Sequence, residues 1–498
     1  MTGGRPSVAV VGLGTALALV AAALLLRGLS FAQAVIDIDE GLYMLQAREW
    51  LRGGWPYVAV WDMHPVGAPA IFALVMATLG ETIWALRLAA ALAVAAAAGA
   101  LLAIARRLGL AAGPAWGAAL LYVAATTLFG GLAANTEILM APLTAWAIAL
   151  GIGARDGAPS ALRIAAMGTL IGGALLIKPL AVFEGSLAWL LAVLPAWRAG
   201  RMTTGRVALV AAGYAALCAT PTLAVALAYA MHGAWAAFAD AAIAAPLRYA
   251  GGRADTADTL RYVGAAILTV PVATSLAVLA WRGGARGRRQ RALRRVASLW
   301  LLAAAGAIAA PGQYYPHYFL FALPPLCLLA ALGARALARR LGARRIGAAV
   351  ATLIALATLD AISRSAGPRL YNPAGLTAPD PVRQVAAEIA ARIAPGDPVW
   401  VVNYPPVVHV LSGAGLATRY AFPAHLSGTH AALIGVDPDR EIARILADRP
   451  PLVVVYRGWW QQIRPGIRPV LEDALARDYL LAAEIAEALG PVEIWQRR

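Results

Sequence analysis

Lysine is almost missing from this chain: of 42 basic residues, only Lys178 is not arginine. Cysteine is nearly as scarce. Cys218 and Cys327 stand alone, both inside long apolar runs, which excludes a disulfide framework and a cysteine-built metal centre. Charged residues make up 14% of the 498 positions against 61% hydrophobic. A soluble domain needs a polar skin that this composition does not supply. No repeat of fixed period is present, and no tract has a composition that demands disorder.

What the chain has in abundance is runs of Ala, Leu, Val and Ile, recurring from the N-terminus to about Ile362. Each approaches the ~20 residues needed to cross a ~30 Å hydrocarbon layer. At these lengths only helices satisfy their own backbone hydrogen bonds there. The expected fold is a polytopic α-helical membrane protein with about eleven spans, roughly 7–29, 82–104, 112–130, 138–153, 161–177, 180–197, 207–230, 262–281, 297–311, 319–334 and 346–362. Ser7 to Leu26 followed by Ala32-Gln33-Ala34 also has the look of a cleavable signal. A retained first span is the expectation, because the run is long for a signal and the topology gives that helix a place.

A net charge of +16 raises the question of nucleic acid. The arginines, however, sit in short clusters between the apolar runs: Arg5, Arg106/Arg107, Arg155/Arg163, Arg198 to Arg206, Arg282 to Arg295 and Arg335 to Arg345. That is the positive-inside pattern, so the expected partner is a bilayer and not a nucleic acid. Parity then puts the N-terminus in the cytoplasm and the alternate joins outside the cytoplasmic membrane. Those joins hold nearly all the other polar clusters. The last span delivers the C-terminus outside, where composition turns to a soluble pattern. Residues 1–365 are expected as the membrane domain, with an outer loop over 31–81, and 366–498 as a small extracytoplasmic α/β domain. Its expected elements are helices at Asp380–Ile393, Asp437–Ala447 and 467–478, with strands at Pro398–Asn403, Leu452–Tyr456, Leu480–Ile485 and Val492–Gln496.

The outer joins carry the candidate chemistry. Asp39 and Glu40 lie just beyond the first span, ahead of an amphipathic stretch, Gly41 to Arg52. There Tyr43, Ala47, Trp50 and Leu51 share one face while Arg48, Glu49 and Arg52 lie opposite, as in a helix lying in the membrane interface. Adjacent carboxylates at that depth suit a general base acting on a hydroxyl; an ordinary hydrated loop is the plain alternative. His64, in Trp61-Asp62-Met63-His64-Pro65, would bind phosphate when protonated or a metal when neutral, or is simply solvated. Glu137 in Asn135-Thr136-Glu137 suits a helix N-terminus, yet a carboxylate at a span's end is costly unless paired or used. Lys178 in Leu-Ile-Lys178-Pro179 offers a compact cation for phosphate, or snorkels to the boundary. Tyr315 and His317, in Gln313-Tyr-Tyr-Pro-His317-Tyr318, lie at the same depth, where single tyrosines are usually belt residues. Arg248, Arg253 and Arg261 stand on the outer side against the charge bias and invite an anionic head group.

Taken together, Asp39-Glu40-x-x-Tyr43, Gly53-Gly-Trp-Pro-Tyr57, Asp62-x-His64-Pro65, Asn135-Thr136-Glu137, Lys178-Pro179 and Pro316-His317-Tyr318 resemble, in order, the GT-C superfamily of polyprenyl-phosphate-sugar glycosyltransferases. The closest likeness is to the protein O-mannosyltransferase and lipid A aminoarabinose transferase group, and it covers most of the chain. The resemblance implies a membrane hexosyl- or pentosyltransferase with a polyprenyl-phosphate-linked sugar donor and a hydroxyl acceptor on a glycan, lipid or protein. It implies that Asp39 is the catalytic aspartate and Glu137 the acidic position of the second outer loop. Some relatives carry acidic-Lys-Pro-Pro where this chain has Met63-His64-Pro65-Val66, a departure at the place where a metal site is supported in them. No organic cofactor follows, and a divalent metal stays open. A polar-lipid transporter or flippase would use similar groups, but near mid-membrane and with inverted repeats. A non-catalytic envelope assembly protein is the third reading.

Overall fold

The computed structural model describes residues 12–152, 158–252, 254–345, 347–352, 355–356, 359 and 380–498. In chain order the apolar runs form α1 Leu13–Arg27, α2 Ile38–Leu51, α3 Gly67–Leu79, α4 Ile83–Arg107 and α5 Ala112–Ala125. There follow α6 Thr136–Ile152, α7 Ala161–Ile177, α8 Ala181–Arg198 and α9 Thr204–Met231. Two short helices, α10 Trp235–Ala239 and α11 Ala245–Ala250, flank a π-helical turn at Asp240–Ala244. Then come α12 Thr256–Thr269, α13 Pro271–Leu279, α14 Gly287–Ala309 and α15 Leu323–Leu341.

Each expected span from 7–29 to 319–334 coincides with helix, whereas of 346–362 only 347–352, 355–356 and 359 are described, all helical. Four described helices are long and apolar enough to cross a bilayer: Ile83–Arg107, Thr204–Met231, Gly287–Ala309 and Pro316–Leu341. Thr256–Thr269 with Pro271–Gly283 makes a fifth if counted as one span, bent by 83°. The bend has a local cause, since Pro271 has no N–H to continue the helix before it. The α1, α5, α6 and α7 helices run only 14 to 17 residues, so helix length alone does not establish eleven crossings. The loop expected over 31–81 also contains α3, an apolar helix of 13 residues.

Two compact units divide the chain. Residues 1–30, 87–227 and 252–365 form the first; residues 31–86, 228–251 and 366–498 form the second. Small residues let the helices of the first unit approach closely. A Cβ on Gly333 of α15 would lie 1.8 Å from the Leu276 carbonyl oxygen of α13, and one on Gly151 of α6 would lie 2.5 Å from the Ala188 carbonyl oxygen of α8.

The second unit is built around a mixed sheet. Its strands are β1 Pro398–Val401, β2 Gly415–Leu416, β3 Leu452–Tyr456, β4 Tyr479–Ile485 and β5 Val492–Arg497, in the order β2-β1-β3-β5-β4. The first three are mutually parallel, and β5 pairs antiparallel with both β3 and β4. All five residues of β3 are buried, as a central strand of Leu and Val requires. Helices α16 Pro381–Ala390, α17 Val407–Ser412, α18 Pro438–Asp448 and α19 Ile467–Asp478 complete it. Asp380 caps α16 by accepting from Val382 N and Arg383 N, and its other oxygen accepts from Ala34 N at 3.1 Å.

One expectation about α2 is corrected here. Arg48 is not on a solvent-facing side of the helix but fully buried. Its guanidinium donates to the His409 carbonyl, to the Ala414 carbonyl at 3.0 Å, and to Glu49 at 2.8 Å. Two backbone acceptors and one carboxylate supply the partners that a buried guanidinium needs.

Candidate functional site

Two polar groups stand out, one in each unit. In the first unit Thr136 opens α6 and puts Glu137 into its first turn, where the helix dipole favours an anion. Pro179 stops α7 from continuing, and Lys178 caps it in an extended conformation, φ −151°. The two side chains meet in an ion pair between Lys178 Nζ and Glu137 Oε1. Thr136 Oγ donates to the other carboxylate oxygen at 3.0 Å and lies 3.3 Å from Lys178 Nζ. The ammonium also stands 4.5 Å from the centroid of the Tyr318 ring, a cation–π contact. Behind that ring His317 packs edge-on at 4.8 Å, and Tyr315 stacks on His317 at 5.9 Å. The structure therefore brings Glu137, Lys178, His317 and Tyr315 together, with Thr136 and Tyr318 as members that sequence spacing did not isolate.

Two buried arginines brace the loop ahead of this group. Arg27, at the end of α1, donates to the Leu132 carbonyl at 3.0 Å and the Ala133 carbonyl at 3.4 Å; Arg87 of α4 donates to the Leu132 carbonyl at 3.3 Å. Asn135 adds a bond from Nδ2 to the Gly130 carbonyl at 3.3 Å. The sequence reading also passed over Glu184 of α8, a buried carboxylate that accepts from Trp300 Nε1 at 2.5 Å. A lone acid inside an apolar run was the available signal.

In the second unit Asp37 caps α2 by accepting from Asp39 N at 3.1 Å. Glu40 is buried and accepts from Ile36 N at 3.3 Å, one residue ahead of the cap, which fixes the approach to α2. Asp39 lies between them, in the first turn of α2 and only half-buried. Gly53, at φ +91°, takes the chain out of α2 in a conformation that a side chain would oppose.

Further along the same loop, Asp62 is buried and both its oxygens lie 3.1 Å from His64 Nδ1. Burial alone would raise the Asp62 carboxyl, but His64, His425 and the Met63 amide outweigh it and hold the group below the usual carboxylate range. The proton of the pair therefore belongs on His64 Nδ1. Tyr57, itself at φ 65°, donates from its hydroxyl to the His64 carbonyl at 3.0 Å. Trp61 packs edge-on against His425 at 4.7 Å and donates from Nε1 to Asp240 at 3.1 Å. Trp55 stacks on His232 at 4.2 Å, an aromatic contact with no sequence-local signal.

The arginines expected to attract a head group separate. Arg248 is committed to Asp240 at 2.7 Å and to the Leu433 carbonyl. Arg261 pairs with Asp258 at 3.0 Å on the surface, and Arg253 lies outside the described residues. Among the described residues no three His, Cys, Asp or Glu side chains gather to hold a metal. Asp62 and His64 provide two donors and no third, so no step is routed through a metal here. The first unit also contains an apolar groove of about 1020 Å³, walled by Leu121, Leu128, Leu268, Val272, Leu276 and Val350 among others.

These features define a polytopic helical membrane protein carrying a small mixed-sheet domain. Its fold is that of ArnT from Cupriavidus metallidurans. The apo structure of that protein is 17% identical, covering 97% of this chain and 98% of that one at TM-score 0.65. The structure of ArnT bound to undecaprenyl phosphate is 15% identical over the same shares, at TM-score 0.67. The archaeal oligosaccharyltransferase AglB from Archaeoglobus fulgidus aligns at TM-score 0.45, with 11% identity over 96% of this chain and 74% of that one. No protein-family model matches the chain, and no curated protein matches it in sequence. The polytopic helical membrane fold with a small α/β domain expected from the sequence is borne out by the two ArnT structures.

Proposed function

We propose that the chain is a membrane glycosyltransferase that moves a hexosyl or pentosyl group from a polyprenyl-phosphate donor to an acceptor hydroxyl, with inversion. The reaction takes place at the outer face of the cytoplasmic membrane, in cell-envelope glycan or glycoconjugate synthesis. The observation that carries this reading is Asp39, held half-buried at the start of α2 between the capping Asp37 and the buried Glu40, in a chain with the ArnT fold. Positive-inside parity puts that loop and the C-terminal domain outside.

In this mechanism Asp39 accepts the acceptor's hydroxyl proton as that oxygen bonds to the anomeric carbon. The bond from that carbon to the phosphate oxygen breaks, and polyprenyl phosphate leaves with the electron pair. Glu40 contributes by fixing the Ile36 amide, which sets the turn that presents Asp39. Phosphate is a good leaving group and needs its charge stabilised more than it needs an acid. Lys178, His317, Tyr315, Arg253 and His64, the last oriented by Asp62, are each proposed as a donor-phosphate contact, and Glu137 as an acidic member of the catalytic set. The apolar groove suits a polyprenyl tail, which would confine the donor and raise its effective concentration.

The test is transfer of a radiolabelled sugar in membranes into lipid-phosphate and polymer fractions, comparing the wild type with Asp39→Asn. Loss of transfer with build-up of the labelled lipid carrier is the expected result. Full transfer by a folded, membrane-inserted Asp39→Asn protein would remove Asp39 from the chemistry.

A further inference from the structure

A second cavity, of about 800 Å³, lies wholly within the second unit, away from Asp39 in sequence and composed very differently from the apolar groove. Its lining runs along Leu416 to Tyr420, continues through Val436 and Asp437, and takes Arg440, Glu441 and Arg444 from one side of α18, with Ala59 from the first loop. Three arginines thus meet two carboxylates, and both carboxylates are already committed. Asp437 caps α18 by accepting from Asp439 N at 2.9 Å and Arg440 N at 3.3 Å. Glu441 is held by Arg444 at 2.7 Å and by the Thr418 hydroxyl at 2.7 Å. Arg444 spends its remaining donors on Asp448 at 2.6 Å and the Ala417 carbonyl at 3.0 Å.

Arg419 and Arg440 are different. Arg419 donates to the Tyr420 hydroxyl at 2.7 Å and lies over that ring, but neither it nor Arg440 forms an ion pair among the described residues. Two planar guanidiniums outside any ion pair therefore line one cleft, Arg419 also acting electrostatically on Glu441, a geometry suited to bidentate capture of a carboxylate or phosphate. The other lining groups are a threonine hydroxyl, the Tyr420 phenol, two carboxylates and four small-to-medium apolar side chains. The volume lies within the roughly 300–1,000 Å³ of sites that enclose a molecule well beyond a single ion. Hydroxyl-rich, negatively charged and of that size describes an acidic oligosaccharide.

We propose that this cleft binds an anionic saccharide, and that it holds the charged part of the acceptor glycan; the second clause rests on the transferase reading above. The cleft is joined to the loop of Asp62 and His64 by a bond from Trp61 N to the Arg419 carbonyl at 2.8 Å. Trp61 also rests against Tyr420, ring centroids 5.8 Å apart.

The experiment is isothermal titration of the purified full-length protein with trigalacturonate, maltotriose and inorganic phosphate. Trigalacturonate is expected to bind saturably to the wild type and to Asp39→Asn alike. Arg440→Gln, a change at an exposed side chain, should weaken it roughly tenfold, as loss of one charge-assisted contact does. Arg419→Gln/Arg440→Gln should abolish it. Absence of saturable trigalacturonate binding would overturn the proposal. So would affinity unchanged in the double variant, maltotriose bound as tightly, or phosphate alone bound as tightly. Sugar transfer read on the same preparations separates the two claims. Transfer without trigalacturonate binding sinks the cleft and spares the enzyme. Charge-dependent binding without transfer sinks the enzyme and leaves the cleft as a binding site.

Discussion

The Lys178–Glu137 pair makes a prediction whose size follows from its burial. The two side chains are 6% and 2% exposed, so each ion's solvation has been exchanged for the other. Lys178→Met removes the cation and strands the carboxylate with the Thr136 hydroxyl and the start of α6. Breaking a buried pair from one side costs about 3–5 kcal/mol, and the helix N-terminus returns up to about 1 kcal/mol. The expected net loss is about 2–4 kcal/mol, roughly 30- to 1,000-fold in the folded-to-unfolded ratio. Glu137→Gln/Lys178→Met removes both desolvation costs together and should cost only about 1 kcal/mol. The double variant is therefore expected to be more stable than Lys178→Met. Unfolding in mixed micelles under increasing dodecyl sulfate, followed by far-ultraviolet circular dichroism, measures all of them, with Glu137→Gln completing the cycle. If the double variant loses the sum of the two single losses, the pair is not coupled and the reasoning fails. The same proteins carry a functional arm. Should the stable double variant transfer sugar at the wild-type rate, the pair has a structural role alone.

Two further predictions concern the second unit. Burial pushes His425 down to about 4, and burial aided by Arg48 pushes His409 down to about 3, from an ordinary value of 6.5. Between those values and 6.5 the unfolded chain binds protons that the folded one refuses, so stability is full above that window and falls with pH inside it. At pH 5 each histidine should cost about 2 kcal/mol; Asp62, His64 and His430 face His425, and Arg48 faces His409. Tryptophan-fluorescence melting should drop between pH 7.5 and 5, less so in His425→Asn, and a flat profile would refute this. Arg48→Met strands the His409 and Ala414 carbonyls and should cost about 2–4 kcal/mol, seen as faster hydrogen exchange over residues 407–416. Unaltered protection there would mean that Arg48 does not secure this segment.

The spans were legible because an apolar run near membrane length has one cheap conformation, and β3 because five buried apolar residues between turn signals have few others. Helix α3 was not, since Gly67–Leu79 is too short to read as a crossing and lies between polar clusters that read as loop. Nor was the edge strand β2, which is two residues long and exists only through its pairing with β1. Within the candidate site, spacing identified Asp39, Glu137 and Lys178 as unusual carriers of charge. It did not separate Asp39 from Glu40, because the difference between a half-buried carboxylate and a buried one lies in a backbone amide four residues upstream. Arg48 was placed on the wrong face and Glu184 passed over for a related reason: their partners, the carbonyls of His409 and Ala414 and the indole of Trp300, are far off in sequence.

The near-absence of lysine takes on meaning from what the buried arginines do. Arg27 grips the carbonyls of Leu132 and Ala133, Arg48 those of His409 and Ala414, and Arg248 that of Leu433 together with Asp240. Arg48 shows the use of a planar fork most clearly: its two terminal nitrogens span acceptors whose spacing is fixed by the backbone, which one ammonium would meet less well. Position 178 poses the opposite problem. Its cation serves a carboxylate, a hydroxyl and the face of a ring on three sides, with no backbone acceptor among its side-chain contacts. Three rotatable donors on a compact charge match that arrangement, whereas a rigid fork would turn edge or face to at least one partner. The chain thus uses arginine where the architecture must be held and reserves its lysine for a place where one charge is shared among several groups.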